Sequence, residues 1–340
     1  MHKRWLCHKH ASLHAKPLRV GWSLFQDNRP TMTSISSALS PDETALALPY
    51  PALAHSIRAV LTDDSVSVPP RIVQPLATGG SLFVMPATDS SVAITKLITF
   101  VPDNPARGRA AIQGDVVVFD AHQGQRLRIL HGPTVTARRT AAVSLLAAQL
   151  LAPQPHGRLL IVGAGVQGRS HLEAFVQGLG VRDVVVASRS ASSADALVAH
   201  ARQLGVQAER TDDPDAALAH CTLVVSSTSA QAIALRGLPR DDAFVCAVGA
   251  FTPHMVEWSP EVCQHIARQG RVVVDTRDAD HEAGDLLQAG LDVSTFPSLG
   301  DVVNRRHPWA RSTASTGPVM FKSCGWAGWD LAAARCCLSN

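Results

Sequence analysis

The chain has 340 residues, 46% of them apolar, which is long enough for two domains and typical of a globular protein. No apolar run approaches the roughly 18 to 20 residues of a membrane-spanning helix, so the sequence predicts no membrane association. The formal net charge is +3, but the excess of basic residues is confined to residues 1–31, which contain six Lys and Arg and one acid. The rest of the chain has 25 basic and 27 acidic residues, a net charge of −2. This charge distribution disfavours nucleic-acid binding.

Residues 1–31 differ from the rest of the chain, which becomes regular after Met32. They contain no apolar segment of the kind found in secretory signal peptides. We expect a disordered leader or an over-called translation start. A transit peptide, or a metal-binding tail built on its scattered histidines, is the alternative; these are His2, His8, His10 and His14.

Residues 32–155 are predicted to form a substrate-binding and dimerisation domain. Strand-like runs PPRIVQPL, GSLFVMPA, SVAITKLITF and GDVVVFDAHQGQRLRIL, with a turn at AHQGQ, indicate a mostly antiparallel sheet. An Ala- and Leu-rich helix, TARRTAAVSLLAAQLLA, follows. The last segment, GWAGWDLAAARCCL, is predicted to be a helix that packs back on this domain, so that residues 310–340 complete it.

Residues 156–309 alternate between short apolar runs and helical stretches. The predicted strands are RLLIVG, DVVVASR, VQAER, TLVVSST, AFVCAVG and RVVVD. Parallel strands need crossover connections, and these are usually helices. The pattern therefore predicts an α/β fold: a doubly wound, Rossmann-type parallel sheet beside a discontinuous α+β domain.

A glycine-rich turn follows the first of these strands. Gly163, Gly165 and Gly168 fit G-x-G-x-x-G, with Val166 and Gln167 between the second and third glycines. The first glycine allows the tight turn, the second lets the backbone approach a pyrophosphate, and the third allows close packing of helix on strand. Because the motif lies between a strand and a helix, it predicts a dinucleotide site rather than a merely structural loop.

The end of the second strand indicates which dinucleotide is bound. It reads Ser188-Arg189-Ser190, where an NAD-binding protein often has an acid for the ribose diol. An arginine flanked by hydroxyls can bind a 2′-phosphate, which favours NADPH, with NADH possible but less favoured. Arg189 as an ordinary solvated cation is the alternative. Thr228 ends the fourth strand, at the edge where the nicotinamide ribose would pass.

Three cations of the first domain interrupt apolar or small-residue surroundings: Arg71, Lys96 and Arg139. Burying a cation is unfavourable unless it is paired, so their convergence would imply an anionic ligand. The alternative is that each is a surface residue. The seven cysteines form no C-x-x-C pair and the histidines show no ligand spacing, so we expect reduced thiols and no metal site.

From about residue 35 to 338 the chain resembles the ornithine cyclodeaminase/mu-crystallin family. The resemblance rests on PPR, Met85-Pro86 followed by Lys96, RTAA, GAGVQ, SRS, GAFTP with a later Glu257, and FKSCG followed by DLAAA. It implies that Arg71, Lys96 and Arg139 hold the substrate carboxylate and polar groups at the nicotinamide, and that Ser323 lies near the cofactor. It also implies a homodimer in a bacterial cytoplasm.

Two departures bear on the reaction, because the family includes cyclodeaminases, amino-acid dehydrogenases, ketimine reductases and a hormone-binding crystallin. Phe251 and Phe83 stand where the resemblance places an aspartate and a glutamate in cyclodeaminases. The GAFTP form is similar to bacterial Δ1-pyrroline-2-carboxylate reductases.

The resemblance thus implies NADPH-dependent reduction of Δ1-pyrroline-2-carboxylate to L-proline, and of Δ1-piperideine-2-carboxylate to L-pipecolate, in hydroxyproline or lysine catabolism. Lys96 is the candidate proton donor, although a purely carboxylate-binding Lys96 is equally consistent. The alternatives are a cyclodeaminase, an amino-acid dehydrogenase, or a non-catalytic NADPH-dependent ligand-binding protein.

Overall fold

A computed structural model describes residues 38–77, 79–306 and 317–339. The predicted leader, residues 1–31, lies outside these ranges. The helices of the described part are α1 Pro41–Leu46, α2 Tyr50–Leu61, α3 Gly132–Leu151, α4 Val166–Leu179, α5 Ala191–Gln203, α6 Pro214–Leu218, α7 Pro260–Gln269, α8 Gly284–Gln288, α9 Leu299–Val303 and α10 Ala327–Ser339. The strands are β1 Ile72–Pro75, β2 Ser81–Thr88, β3 Val92–Phe100, β4 Ile112–Asp120, β5 Arg126–His131, β6 Leu159–Val162, β7 Asp183–Ala187, β8 Gln207–Arg210, β9 Leu223–Ser226, β10 Gln231–Leu235, β11 Phe244–Ala247, β12 Val256–Trp258, β13 Arg271–Val274 and β14 Val319–Lys322.

The first five strands form one antiparallel sheet in the order β1-β2-β3-β4-β5, as the sequence predicted. Side chains alternate between the faces of β3, so Lys96 points to the same buried face as Ile94 and Ile98, while Leu97 points outward. Lys96 pairs with Met85 of β2 and Val116 of β4 in this register. A cation thus lies in the middle of an apolar sheet face.

Helices α3 and α10 cover the buried face of this sheet, and α2 packs on both of these helices. Helix α3 begins after His131, whose ring accepts a hydrogen bond from the Thr134 amide, and Pro133 occupies its first turn. Its many alanines let neighbouring helices approach closely. Helix α10 packs on α2 and β3, so the last helix returns to the first sheet. The sequence analysis did not predict α2.

The second sheet is parallel, with seven strands in the order β13-β14-β11-β9-β6-β7-β8. Its inner strands are buried throughout, which matches their unbroken apolar runs. All six predicted strands of this half are present. One prediction is corrected: Val319–Lys322 pairs with β11 and β13 in this sheet, so the chain joins the parallel half once more before α10 returns to the first sheet.

The order of the strands reverses at β6, which pairs with β7 on one side and β9 on the other. Ligands of doubly wound folds bind in the crevice at such a reversal, beyond the carboxyl ends of the strands. Strands β10 and β12 form a separate two-stranded sheet next to that edge. Within the described ranges, no helix is long and apolar enough to cross a membrane.

Candidate active site

The glycine turn adopts the geometry that its three glycines predict. Gly163 has a φ of +112°, and a Cβ there would lie 2.6 Å from the Ser227 carbonyl oxygen. A Cβ on Gly168 would lie 1.9 Å from the Gly163 carbonyl oxygen, whereas one on Gly165 would meet nothing within 4 Å. Since no side chain caps the start of α4, its first N–H groups are available to an anion.

A cavity of about 600 Å³ opens beyond this turn, and we refer to it as the nucleotide cavity. Gly163, Gly165, Ser188, Arg189 and Thr228 line it. The Arg189 guanidinium donates to the Ser229 hydroxyl at 3.4 Å and carries no ion pair among the described residues. A cationic side chain with free donors therefore lies at the end of β7.

Not every predicted cofactor residue lines the nucleotide cavity: Val166, Gln167, Gly168, Ser190 and Ser323 do not. The Ser190 hydroxyl caps α5 by accepting a hydrogen bond from the Ser193 amide, and Ser190 does not line the cavity. Val166 is 71% exposed at the first position of α4. The structure therefore gives Ser190 a structural role, and its part in cofactor binding stays a prediction.

A second cavity of about 480 Å³ adjoins the first, and we call it the substrate cavity. Arg71, Lys96 and Arg139 all line it, so the three cations converge. The two cavities share four lining residues at the end of β9 and the start of β10: Ser227, Thr228, Ser229 and Gln231. A ligand in the nucleotide cavity can therefore reach the cationic group past Thr228.

The two inner cations share one carboxylate, that of Asp330 on α10. Lys96 Nζ lies 2.8 Å from Asp330 Oδ2, and Arg139 Nε lies 3.3 Å from Asp330 Oδ1. Lys96 is 1% exposed and Asp330 is fully buried. Burial lowers the pKa of Lys96 to about 8, Asp330 opposes this shift, and Arg139 adds to it. The amine thus titrates in a range useful for proton transfer.

The outer cation, Arg71, has a different partner. Its guanidinium forms an ion pair with Glu282, which follows the 3₁₀ helix Arg277–His281 of the parallel half. The guanidinium also lies 6.0 Å from the centroid of the Phe83 ring. Arg71 therefore connects the two halves of the molecule at the cavity.

Two buried carboxylates accept hydrogen bonds from the backbone in the region where the two cavities meet. Glu257 accepts hydrogen bonds from the Thr228 amide at 2.6 Å and the Gly249 amide at 2.7 Å. Asp275 accepts from the Ser323 hydroxyl at 3.1 Å and from the Gly325 amide at 2.7 Å. Gly325 has a φ of +99° and lies against the Arg139 guanidinium. These carboxylates stabilise the substrate cavity without facing its ligand.

The rest of the substrate cavity is largely apolar. Phe83 and Phe251, the two departures noted in the sequence, both line it. Two buried oxygens of lining residues have no hydrogen-bond partner, Thr136 Oγ1 and Gln167 Oε1. The predicted cofactor residue Gln167 thus points its carboxamide toward the substrate cavity. Ser323 lines the same cavity, on the side opposite the five-stranded sheet.

Asp330 and Glu282 were not recognised as site residues from the sequence. Asp330 had a recognisable signal, since it is the single acid of a mostly apolar helix, AGWDLAAARCCLS. Glu282 had none, because its partner Arg71 is 211 residues away along the chain. Among the described residues, no cluster of three or more His, Cys, Asp or Glu side chains could hold a metal ion.

Comparisons with known proteins agree with these observations. Residues 43–340 match the family model of the ornithine cyclodeaminase/mu-crystallin family. Δ1-pyrroline-2-carboxylate reductase 1 of Burkholderia multivorans is 38% identical over 313 residues, which cover 90% of this chain and 96% of that protein. A Δ1-pyrroline-2-carboxylate/Δ1-piperideine-2-carboxylate reductase of Azospirillum brasilense is 37% identical over 311 residues, covering 88% and 96%.

Among solved structures, Thermococcus litoralis Δ1-pyrroline-2-carboxylate reductase in complex with NADH and L-proline superimposes with a TM-score of 0.77. The match covers 88% of this chain and 93% of that chain at 21% identity. Such a match concerns the fold, and it confirms the predicted fold class.

Proposed function

The chain belongs to the ornithine cyclodeaminase/mu-crystallin family, as its motifs predicted, and from this premise we propose that it reduces Δ1-pyrroline-2-carboxylate to L-proline with NADPH. We extend the proposal to Δ1-piperideine-2-carboxylate and L-pipecolate, because the relative from Azospirillum brasilense acts on both rings. One observation carries the proposal: Arg71, Lys96 and Arg139 line one cavity, and that cavity meets the nucleotide cavity at Thr228.

The nucleotide cavity fits a dinucleotide. Gly165 leaves open space where a pyrophosphate would lie, and the uncapped start of α4 offers N–H donors to it. Arg189 with Ser188 would bind a 2′-phosphate, which supports NADPH over NADH. When bound, the reduced nicotinamide supplies the hydride.

The cations would orient the substrate. Arg71 and Arg139 would bind its carboxylate, which fixes the ring face that is turned toward Thr228 and the nucleotide cavity. C2 of the imine would thereby be presented to the side of the cavity where the nicotinamide would supply its hydride. Binding the carboxylate in a fixed position would align C2 of the imine with the nicotinamide, and this alignment accounts for much of the expected rate.

Lys96 would donate the proton that the imine nitrogen requires. It is buried, it titrates near pH 8, and its ion pair with Asp330 holds the ammonium in place. Phe251 and Phe83 would exclude water and pack on the ring methylenes. Neither can accept a hydrogen bond from the second amine of ornithine, which argues against cyclodeamination.

The domain boundaries and assembly also stay proposals. We assign residues 32–155 and 310–340 to substrate binding and dimerisation, with the strand Val319–Lys322 returned to the nucleotide-binding part at 156–309. Exposed apolar side chains on the five-stranded sheet support a homodimer: Ile72, Val73 and Leu97. We place the enzyme in the cytoplasm.

The experiment sets imine reduction against deamination. Purified protein is incubated with NADPH and Δ1-pyrroline-2-carboxylate, and proline is quantified by chiral chromatography. In parallel, ammonia release is measured with ornithine and NAD⁺. L-proline without ornithine turnover is the expected result. Ammonia from ornithine without imine reduction would contradict the proposal, and binding of NADPH without either reaction would indicate a ligand-binding protein.

A further inference from the structure

The ion pair between Arg71 and Glu282 crosses the substrate cleft. Arg71 precedes β1 in the antiparallel half, and Glu282 belongs to the parallel half. Both side chains are partly buried, 27% and 21% exposed, and the bond uses Nη2 of the guanidinium. One of the three cations that face the substrate is therefore already paired with a carboxylate of the protein.

Close packing fixes the position of Glu282. The neighbouring Gly284 approaches the turn 252–255 so closely that a Cβ would lie 2.1 Å from the Met255 carbonyl oxygen and 2.4 Å from that of Thr252. Thr252 and Met255 both line the substrate cavity. The Glu282 amide donates to the Ala279 carbonyl oxygen at 3.1 Å. The carboxylate is thus held beside the cavity by its backbone as well as by Arg71.

The charges of the site explain what this carboxylate does. When Lys96 is protonated and Glu282 is ionised, Arg71, Lys96 and Arg139 contribute three positive charges, and Asp330 and Glu282 contribute two negative ones. The remaining single positive charge is neutralised by one ligand carboxylate. A second ligand carboxylate would find no free cation and would be repelled by Glu282, and like charges at close range oppose binding strongly.

We propose that Glu282 is a specificity-determining residue that restricts the site to ligands with a single carboxylate. This inference rests on the proposed function in one respect, namely that the cations bind the substrate carboxylate. It adds a substrate class: monocarboxylic imines are accepted, and imines of dicarboxylic acids are rejected.

The test compares two ligands of the same shape that differ by one charge, succinate and succinamate. Dissociation constants are measured by calorimetry at pH 8 with saturating NADP⁺, for the unmodified protein and for Glu282→Gln. We expect the ratio of the succinate to the succinamate constant to fall at least about tenfold in Glu282→Gln, a change equivalent to about 1.4 kcal/mol. The matched control is Glu209→Gln, which breaks another arginine–glutamate ion pair, Arg158–Glu209, outside both cavities.

Each outcome decides the inference. A lower ratio in Glu282→Gln but not in Glu209→Gln supports it. An unchanged ratio, with both ligands weakened alike, would show that Glu282 only orients Arg71 and would overturn it. Failure of the unmodified protein to bind succinamate, pyrrole-2-carboxylate and proline would overturn both this inference and the proposed function. Binding of these acids with an unchanged ratio overturns the inference alone.

Discussion

Replacing Asp330 by Asn should move the pH dependence of the reaction, because Asp330 is the counter-ion of the proposed proton donor. Its carboxylate lies 2.8 Å from Lys96 Nζ, and both groups are buried. Burial already lowers the pKa of Lys96 to about 8 against the opposing effect of Asp330. Without the carboxylate, burial and Arg139 would act unopposed, and the pKa of Lys96 should fall further.

The size of the shift follows from the geometry. An opposite charge at this distance shifts a pKa by about one to three units, so the pKa of Lys96 in Asp330→Asn should lie between about 5 and 7. A donor must carry its proton, so kcat/KM is high below the pKa and falls as the pH rises through it. At pH 7.5 the protonated fraction, and with it kcat/KM, should drop between about threefold and a few hundredfold.

The assay is the pH profile of kcat/KM for NADPH-dependent imine reduction, which reports the free enzyme. The substrate's own titration is the same for every variant, so only differences between profiles are interpreted. Asp285→Asn is the matched control, because Asp285 also pairs at 2.8 Å with a fully buried lysine, Lys322, that lines neither cavity.

Both variants remove one partner of a buried pair and should lower the free energy of unfolding by about 3 to 5 kcal/mol. Only Asp330→Asn should move the break in the profile to lower pH. A break at the same pH in Asp330→Asn and the unmodified enzyme would refute Lys96 as the donor. If Asp330→Asn does not fold, Lys96→Arg provides the same test, since its guanidinium stays protonated and the break near pH 8 should disappear.

Three further predictions concern the cofactor, the fold and the specificity residue. Arg189→Ala should raise the dissociation constant of NADPH by about tenfold or more and leave that of NADH nearly unchanged, because only NADPH carries the 2′-phosphate. Both constants are measured by titration. An equal loss of affinity for the two cofactors would contradict the preference for NADPH. Gly168→Ala places a methyl group against the Gly163 carbonyl oxygen. The free energy of unfolding, measured with denaturant, should therefore fall by about 3 kcal/mol or more, and NADPH binding should weaken. An unaltered free energy of unfolding would contradict the packing described for this turn. Burial raises the pKa of Glu282 to about 7. Asp275 and Asp278 add to this rise, Arg71 opposes it, and Cys324 also lies near the carboxylate. Below pH 7 Glu282 becomes protonated, so in the unmodified protein the ratio of the succinate to the succinamate dissociation constant, measured by calorimetry, should be lower at pH 6 than at pH 8. In Glu282→Gln this fall should be smaller, because only the protonation of Lys96 contributes to it.

Local patterns were enough to predict much of the fold. The glycine turn is recognisable because its three glycines have a fixed spacing between a strand and a helix, and Gly168 packs on the Gly163 carbonyl oxygen only five residues away. Buried parallel strands such as Leu159–Val162 stand out as unbroken apolar runs. Val319–Lys322 was assigned to the wrong half because a short, mostly apolar segment carries no information about the sheet that it joins. That choice depends on the pairing with β11 and β13.

The site was predictable only in part. Lys96 and Arg139 were recognisable as cations in apolar surroundings, and the resemblance to a family brought them together with Arg71. Their carboxylate partners were not predicted. Asp330 stands out locally as the single acid of its helix, but no local pattern shows which distant cation a carboxylate pairs with. Glu282 lies in an ordinary polar stretch, and its contact with Arg71 depends on how Gly284 packs on the turn 252–255.

The central claim is that cations of the antiparallel half hold a cyclic imino acid against a nicotinamide bound by the parallel half. A crystal structure with NADP⁺ and L-proline tests it most directly. We expect the proline carboxylate within hydrogen-bond distance of Arg71 and Arg139, with the ring nitrogen facing Lys96 and C2 facing the nicotinamide. A proline carboxylate bound away from these side chains, or a ring turned away from the nicotinamide, would contradict the claim.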